Sequence, residues 1–374
     1  MAERRTFGSV LDRFLKKRWS PADIDRYVGT YREAWLTHAT DGAIRERAAS
    51  GGTTSAVLIE GLRQGLFDGA VVCVAVVEDG KVRPRFRIAT DPDQILAARG
   101  SKYVESRFLP SVLPLLRSFE GRVAVVGLPC DIAALRQRCG TDPVLAAKLA
   151  LTIALVCGHN SRTALIDAVT SRLEKQAGQP LRAYRFRIGH WRGHLEAEFA
   201  DGSLLRRPTK TFNDYQNMFF FCERKCLSCH DHYGYAADLT MGDIWLFRLK
   251  NDPIKHTAVI TRTEAGQALF DAATRSGAVA ASALDIRDIM DGQARIGPAH
   301  YNVTARARAG RWLGLKIPDR VQAPVTWHDQ LNALWTLANV RLSESAWGRR
   351  LIFALPRPVI RGLLYLKKGL ESVK

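Results

Sequence analysis

Three cysteines fall within eight residues in Cys222-Glu-Arg-Lys-Cys226-Leu-Ser-Cys229. Thiols on so short a loop can converge on one centre, and soft sulfur donors suit zinc or an iron–sulfur cluster. A zinc tetrahedron would be completed by His230 or His232. The second C-x-x-C knuckle of the common zinc modules is missing, however. Two distant cysteines tip the balance towards iron and sulfur. Cys130 follows Val126-Gly127-Leu128-Pro129, and Cys157 follows Leu155-Val156. Each stands just past an apolar run and just before a helical segment. If the two runs are parallel strands, both cysteines reach the carboxyl edge of one sheet, where open α/β sheets bind ligands. One such cysteine alone reads as a small buried residue. Two at equivalent strand ends, with a C-x-x-C elsewhere, read as a shared metal centre. Cys73 and Cys139 fall mid-strand and late in a helix, and are read as core or incidental.

Three further segments have the chemistry of a cofactor site. Ala49-Ser50-Gly51-Gly52-Thr53-Thr54 opens a helix, where glycines admit a phosphate to free backbone N–H groups. It lacks the lysine of a P-loop. Gly100-Ser101-Lys102-Tyr103 places a hydroxyl, an amine and an aromatic ring on one turn. Ala237-Asp238-Leu239-Thr240-Met241-Gly242-Asp243-Ile244-Trp245 reads as a strand ending in a turn, with Asp243 placed to orient a ligand or cap that turn. The C-x3-C-x2-C spacing also occurs in radical S-adenosylmethionine enzymes, but there it opens a barrel and does not follow a hairpin. No Ser–His–Asp order and no H-x3-H pair stands out.

The elements that must position these residues follow from hydrophobic periodicity. Residues 1–40 read as a helical lead-in, with Ser20-Pro21-Ala22-Asp23 as a helix start. Residues 41–181 read as an α/β domain carrying Cys130 and Cys157. Its valine-rich runs at 70–77, 123–127 and 149–156 suit strands covered on both faces, and helices are expected at 54–66, 131–138 and 162–176. Residues 182–250 read as an antiparallel lobe with the cysteine cluster, since Asp201-Gly202 between alternating segments signals a hairpin. An α/β continuation over 251–340 has a strand at 257–261 and a helix at 264–275. The expected fold class is therefore α/β, a mainly parallel sheet with flanking helices plus an antiparallel insertion carrying the C-x-x-C loop.

Residues 341–374 form a basic amphipathic tail with eight basic and two acidic residues among Trp347, Leu351, Phe353 and Tyr365. Its composition suits a packing helix or the surface of an anionic membrane. The chain has 374 residues, of which 47% are hydrophobic and 25% charged, so it can bury a sizeable core. Seven cysteines, an odd number, do not suggest a secreted disulfide framework. With no signal-like start and no long apolar run, a cytoplasmic location is expected, with peripheral contact at the inner membrane surface as the tail's contribution. The net charge of +18 can steer an acidic partner. No basic–aromatic module for specific nucleic-acid binding is present.

Taken together and in order, six segments resemble the beta-subunit family of coenzyme F-420 hydrogenases and dehydrogenases. They are Ala49-Ser50-Gly51-Gly52, Gly100-Ser101-Lys102-Tyr103, Gly127-Leu128-Pro129-Cys130-Asp131, Leu155-Val156-Cys157-Gly158, Cys226-Leu-Ser-Cys229 and the run from Ala237 to Trp245. The resemblance spans about residues 30–250 and implies an FAD-dependent, [4Fe–4S]-dependent oxidoreductase. Similar proteins include hydrogenase and formate dehydrogenase subunits acting on the deazaflavin coenzyme F-420, chlorophyll-pathway reductases and proteins linked to polysaccharide synthesis. The implied cluster ligands are Cys130, Cys157, Cys226 and Cys229, with Cys222 as an alternative. The implied flavin contacts are Ser50, Gly51, Gly52, Lys102 and Tyr103, with Thr53 and Asp243 beside them. Several relatives carry ferredoxin-like cysteine repeats near their start. This chain has no cysteine before Cys73, so electrons are expected from a separate protein such as ferredoxin, or from a reduced deazaflavin or nicotinamide. The competing expectation is a zinc-stabilised binding or scaffold protein.

Overall fold

The computed structural model describes residues 19–372. Its strands are β1 (Glu33–Ala39), β2 (Gly69–Glu78), β3 (Lys81–Ala89), β4 (Val123–Gly127), β5 (Leu149–Leu155), β6 (Leu181–Ile188), β7 (His194–Phe199), β8 (Leu204–Pro208), β9 (Leu239–Asp243), β10 (Thr257–Thr261) and β11 (Val279–Ala283). Eight of them form one sheet in the order β11-β1-β10-β9-β5-β4-β2-β3, and β6-β7-β8 form a separate antiparallel sheet. The centre is parallel: β2 pairs with β4, β4 with β5, and β5 with β9. Antiparallel strands extend it on both sides, β3 beyond β2 and β10, β1 and β11 beyond β9. The expected α/β class, with a parallel sheet, flanking helices and an antiparallel insertion, is what the fold shows.

The central strands are apolar on both faces because both faces are covered. Ala70, Val72, Ala124 and Ile153 pack beneath the Thr53–Arg63 and Glu264–Arg275 helices, against Val57, Leu58 and Phe270. Val71, Val123, Val125 and Ala154 face the Phe108–Ser118 and Pro129–Cys139 helices, against Val112, Leu116, Ile132 and Leu135.

The elements depart from the expected boundaries in three places. Helix in the lead-in is confined, among its described residues, to Pro21–Tyr27, which Ser20 and Asp23 close with reciprocal capping bonds. The rest of the lead-in before residue 19 lies outside the described residues. Glu33–Ala39 is instead a sheet strand, since its partners β10 and β11 arrive from more than 200 residues downstream. The cysteine loop also sits outside the antiparallel lobe. After β8 the chain enters the Lys210–Asn217 helix and a short 3-10 turn at Arg224–Ser228. It then returns to the main sheet as β9, whose apolar Leu239 and Met241 demand burial beside β5. The Asp201-Gly202 hairpin forms as expected, with Gly202 at φ +82°. Beyond β11 the described chain is helical, and the Trp327–Glu344 helix runs through the expected boundary at 341. No helix of the described residues is long and apolar enough to cross a membrane.

One carboxylate fixes how the elements beneath the site meet. Asp238, just before β9, accepts hydrogen bonds from the Thr152 backbone N–H and hydroxyl of β5, both at 2.7 Å. Its other oxygen accepts from Thr263 Oγ1 at 2.7 Å, which caps the Glu264–Arg275 helix. Arg136, on the helix that carries Cys130, completes the set through Nη2. Replacing Asp238 with Ala strands these donors, so Asp238→Ala should lower unfolding free energy by about 3 kcal/mol, read as a shift of the urea midpoint.

Candidate redox site

β4 and β5 are adjacent and parallel, so their carboxyl ends lie side by side. Cys130 begins the Pro129–Cys139 helix directly after β4, and Cys157 lies two residues beyond β5. Proline at the first helical position needs no partner for a missing N–H, and the chain turns at once into the helix. The Arg224–Ser228 turn brings Cys226 and Cys229 to the same place. These four cysteines line one small cavity, together with His159, Lys225 and His300. The sequence-predicted ligands Cys130, Cys157, Cys226 and Cys229 are therefore brought together. Cys222 does not line the cavity. It is fully buried behind Cys226, packed with Ala305, Ala309 and Leu337.

The electrostatics of the cavity suit a cationic centre. The Cys130 thiol is pushed far up, first by its hydrogen bond with Cys229 and then by burial and Asp131. Burial, followed by Cys226 and Cys130, does the same to Cys157. Contact with Cys222, then burial, raises Cys226. Sulfurs this close cannot all be thiolates unless positive charge compensates them, and a metal centre inverts that balance. The donor set and the cavity thus fit a sulfur-ligated cluster. Among the described residues, no three Cys, His, Asp or Glu side chains close around a single-ion position. His232, offered from sequence as a zinc ligand, instead pairs its Nδ1 with the Cys157 carbonyl at 2.9 Å. His230 packs its ring near Tyr235 and Tyr301.

Arg306 holds the cysteine loop from behind. Its buried guanidinium donates to the carbonyls of Leu227 at 2.8 Å, Cys229 at 3.1 Å and His300 at 2.7 Å. Sequence reasoning missed it, because Ala-Arg-Ala-Arg-Ala-Gly reads as a solvated helix face. Among the described residues His300 has no hydrogen-bond partner on either ring nitrogen, and burial lowers its basicity well below the usual histidine range.

A second cleft is lined by Ser50, Arg187, Trp191, Asp243, Trp245 and Lys255, among others. Ser50 donates to the His256 carbonyl at 2.5 Å, and the Gly51 N–H donates to Thr257 Oγ1 at 3.0 Å. A Cβ on Gly51 would stand 2.9 Å from the carbonyls of Thr37 and Lys255. Gly52 caps the Thr53–Arg63 helix at φ +81° without a side chain across the N–H groups. Ser50 lines the cleft, whereas Gly51 and Gly52 are buried just behind its wall, where the N–H groups at the helix start have no side-chain cap. Thr53 itself turns inward, with Oγ1 2.8 Å from the buried Thr37 hydroxyl. Lys102 is also spent elsewhere: its Nζ donates to the carbonyls of Ala98 and Gly100, and burial lowers it to about 8. Tyr103 reaches the cleft wall indirectly, its hydroxyl accepting from Arg187 Nη1 at 3.2 Å.

Arg187 organises this cleft. It pairs with Asp243 through two contacts of 2.5 and 2.6 Å, and its Nε donates to the Ala49 carbonyl at 3.0 Å. Its guanidinium also lies 5.2 Å from the Trp245 ring centre. Strict alternation along β6 would turn Arg187 outward with Arg185. A register shift between Arg185 and Ile188 turns it inward, which is why the sequence pattern concealed it. Lys255, brought in by the β9–β10 connection, donates to the Ala48 carbonyl. Burial, then Arg187, lowers it to about 8.

The two cavities are neighbours. Leu155 of β5 pairs with Met241 of β9, so Cys157 and Asp243 each lie two residues past matching positions. Adjacent strands run ~5 Å apart. Gln293, which faces His232, donates to the Asp243 carbonyl at 2.9 Å.

Two family models match this chain. The N-terminal part of the coenzyme F420 hydrogenase/dehydrogenase beta subunit matches residues 34–113, and its C-terminal part matches 120–286. The chain belongs to the coenzyme F420 hydrogenase/dehydrogenase beta-subunit family. The coenzyme F420 hydrogenase beta subunit of Methanosarcina barkeri is 25% identical over 258 residues, which span 68% of this chain and 82% of that protein. That of Methanothermobacter thermautotrophicus is 24% identical over 263 residues, spanning 67% and 84%. The chloroplastic 7-hydroxymethyl chlorophyll a reductase of Oryza sativa is 24% identical over 241 residues, spanning 62% and 47%. A chain of the F420-reducing [NiFe] hydrogenase complex from Methanosarcina barkeri shares the fold, with a TM-score of 0.58 and 20% identity, covering 81% of this chain and 99% of that one. These named relatives are oxidoreductases, and this beta-subunit family is one of redox proteins.

Acid should destabilise the fold around the sulfur-lined cavity of this chain. Burial lowers His159 from 6.5 to about 4, so between those values the unfolded chain takes a proton the folded site refuses. Stability should therefore fall as pH drops through this window, by up to about 1.4 kcal/mol per pH unit for this histidine. Urea unfolding of His159→Gln should show a slope against pH shallower by that amount.

Proposed function

We propose that this chain is an iron–sulfur flavoprotein that moves electrons or hydride between a reduced carrier and a substrate. The observation that supports this most directly is the convergence of Cys130, Cys157, Cys226 and Cys229 on one cavity, one strand away from the Arg187–Asp243 cleft. In this reading the four cysteines hold a [4Fe–4S] cluster. Ser50, Gly51 and Gly52 hold the phosphate side of FAD, while Arg187, Asp243, Trp245 and Lys255 surround its ring. When bound, such a pair supplies one-electron transfer at the cluster and hydride transfer at the flavin.

The chain's own contribution is placement and charge. Arg187 and Lys255 present positive charge to the cleft, where electron-rich forms of a bound ring gain from it. Asp243 fixes Arg187 in orientation. Asn160 donates its backbone N–H to Cys226 Sγ at 3.3 Å, a type of contact that tunes a sulfur-ligated centre. Trp191 meets Trp245 edge-on, with ring centres 5.2 Å apart, and narrows the entrance. The carrier is ferredoxin, a deazaflavin or a nicotinamide. Of these, the deazaflavin has support from the relatives named for coenzyme F420. A basic surface would assist docking if the donor is an acidic protein.

Anaerobic purification with iron, sulfide, zinc and flavin assays tests this reading. Broad absorption near roughly 400 nm with about four irons per chain is expected, together with flavin bands. Cys130→Ala and Cys157→Ala should lose the iron, whereas Cys73→Ala and Cys222→Ala should keep it. A single zinc without flavin would overturn the proposal in favour of a scaffold. So would a protein that stays colourless after anaerobic reconstitution.

Arg187→Met should lower flavin occupancy at least about tenfold, since hydrogen bonds involving charged groups contribute ~1.5–3 kcal/mol. Equilibrium dialysis against FAD would read this. Unchanged flavin affinity in this variant would remove Arg187 from the site.

A further inference from the structure

The Arg357–Ser372 helix buries a charged pair on its inner face. Its buried face is Ile360, Leu364, Lys367 and Glu371. Lys367 pairs with Glu371 and donates to Asn332 Oδ1 at 3.2 Å, and Arg295 binds the other oxygen of Glu371. The exposed row, at helical spacing, is Val359, Gly362, Tyr365 with Leu366, and Gly369. Tyr365 is 70% exposed and Leu366 64%. Ordinary helices place such residues inward and charges outward.

The two glycines have no reason within the fold. A Cβ on Gly362 or Gly369 would meet nothing within 4 Å. Each costs about 1 kcal/mol of helix propensity against alanine. What they give is a backbone that can lie close to something outside the molecule.

The Ala346–Ala354 helix continues the pattern. Ile352 is buried in the same core cluster as Ile360 and Leu364, so both helices turn their opposite faces outward from it. That outward face carries Trp347, 67% exposed, with Leu351 one turn on. Arg350 and Arg357 are exposed beside these rows, and Lys368 lies over the Tyr365 ring at 5.4 Å. Over residues 346–372 the only acid is Glu371, which is buried, and Asp214 beside the second helix is taken by Arg361. The nearest acid before them, Glu344, is taken by Arg224.

We propose that the outward faces of the Ala346–Ala354 and Arg357–Ser372 helices rest on an anionic lipid bilayer. Apolar side chains with interfacial Trp and Tyr would enter the headgroup boundary, and the arginines would pair with lipid phosphates and carboxylates. Charge complementarity selects this occupant. A second copy placed face to face would set the same basic residues against themselves. An acidic protein would answer the arginines but not the uncharged, glycine-containing row.

Co-sedimentation of the full chain with vesicles tests the proposal, independently of any cofactor. Binding is expected to phosphatidylcholine vesicles containing phosphatidylglycerol, and to weaken in pure phosphatidylcholine and in high salt. Arg350→Gln with Arg357→Gln should weaken it by roughly tenfold or more, each charge contributing about fivefold at an anionic surface. Tyr365→Ser with Leu366→Ser should also weaken it several-fold, while thermal unfolding confirms that these exposed changes leave the fold intact. Failure to bind anionic vesicles would overturn the proposal and leave the face to an acidic protein. Binding unaffected by both double variants would overturn it too, since the general positive charge of the chain would then suffice.

Discussion

A buried carboxylate at the head of β9 is the point where the elements around the site are joined. Asp238 receives two donors from β5, one from the cap of the Glu264–Arg275 helix and one from the helix that begins at Cys130. Buried charge is tolerated only when its lone pairs are filled, so the four contacts act as a set. Register between β5 and β9 follows from them, and a slip of one residue would reverse which side chains face each layer. Cys157 and Asp243 would then no longer emerge at matching heights. The chemistry at the sheet edge therefore depends on a polar contact between the head of β9 and the middle of β5.

Above that edge, two environments of opposite character stand one strand apart. The sulfur-lined cavity gathers groups that resist charge unless a cation joins them, with Lys225 already committed to Asp131 at 3.5 Å and Glu223 at 3.3 Å. The neighbouring cleft has a surplus of positive groups, since Asp243 balances Arg187 while Lys255 pairs with no carboxylate among the described residues. A centre that draws thiolates and a cofactor that carries phosphates would each be stabilised where it meets the opposite charge. Gln293, bonded to the Asp243 carbonyl, adds no charge of its own beside either.

The parts of this arrangement that showed in the sequence are those governed by local pattern. Valine-rich runs announced the parallel centre, and from it the common edge of Cys130 and Cys157 followed. Asp201-Gly202 announced its hairpin. What escaped was set by distant pairing or by irregularity. β1 looks like an extension of a helical lead-in, because its partners lie in the last third of the described chain. Arg187 hides in an alternating strand whose bulge reverses its face. Thr53 and Lys102 show the converse: residues of suitable type beside a glycine turn, whose polar atoms are spent on Thr37 and on the Ala98 and Gly100 carbonyls. Arg306 carries no local mark at all, since a buried arginine in a helix is distinguished only by the carbonyls that reach it.

The helices beyond residue 286 lie outside the family match, yet they complete the cavity wall. Arg306 grips the cysteine loop, His300 lines the cavity, and the loop's approach is strained: Phe219 and Phe221 hold φ of +62° and +61°, which costs a bulky residue of order 1–3 kcal/mol. That strain must be repaid by contacts, and the last helices supply them. Asn339 donates to the Met218 carbonyl at 2.7 Å, and Ser343 accepts the Phe221 N–H at 2.9 Å. Lys367 sits 4.6 Å from the Phe219 ring, which in turn stacks on His159 at 4.0 Å. The inward charges of the Arg357–Ser372 helix are thus tied to the cavity through one aromatic stack. Turning that helix over, to present charge to water in the usual way, would remove Lys367 from Phe219 and leave the strained loop unsupported. The exposed apolar row is the other side of the same constraint, and an outer surface that accepts it lets the helix serve both.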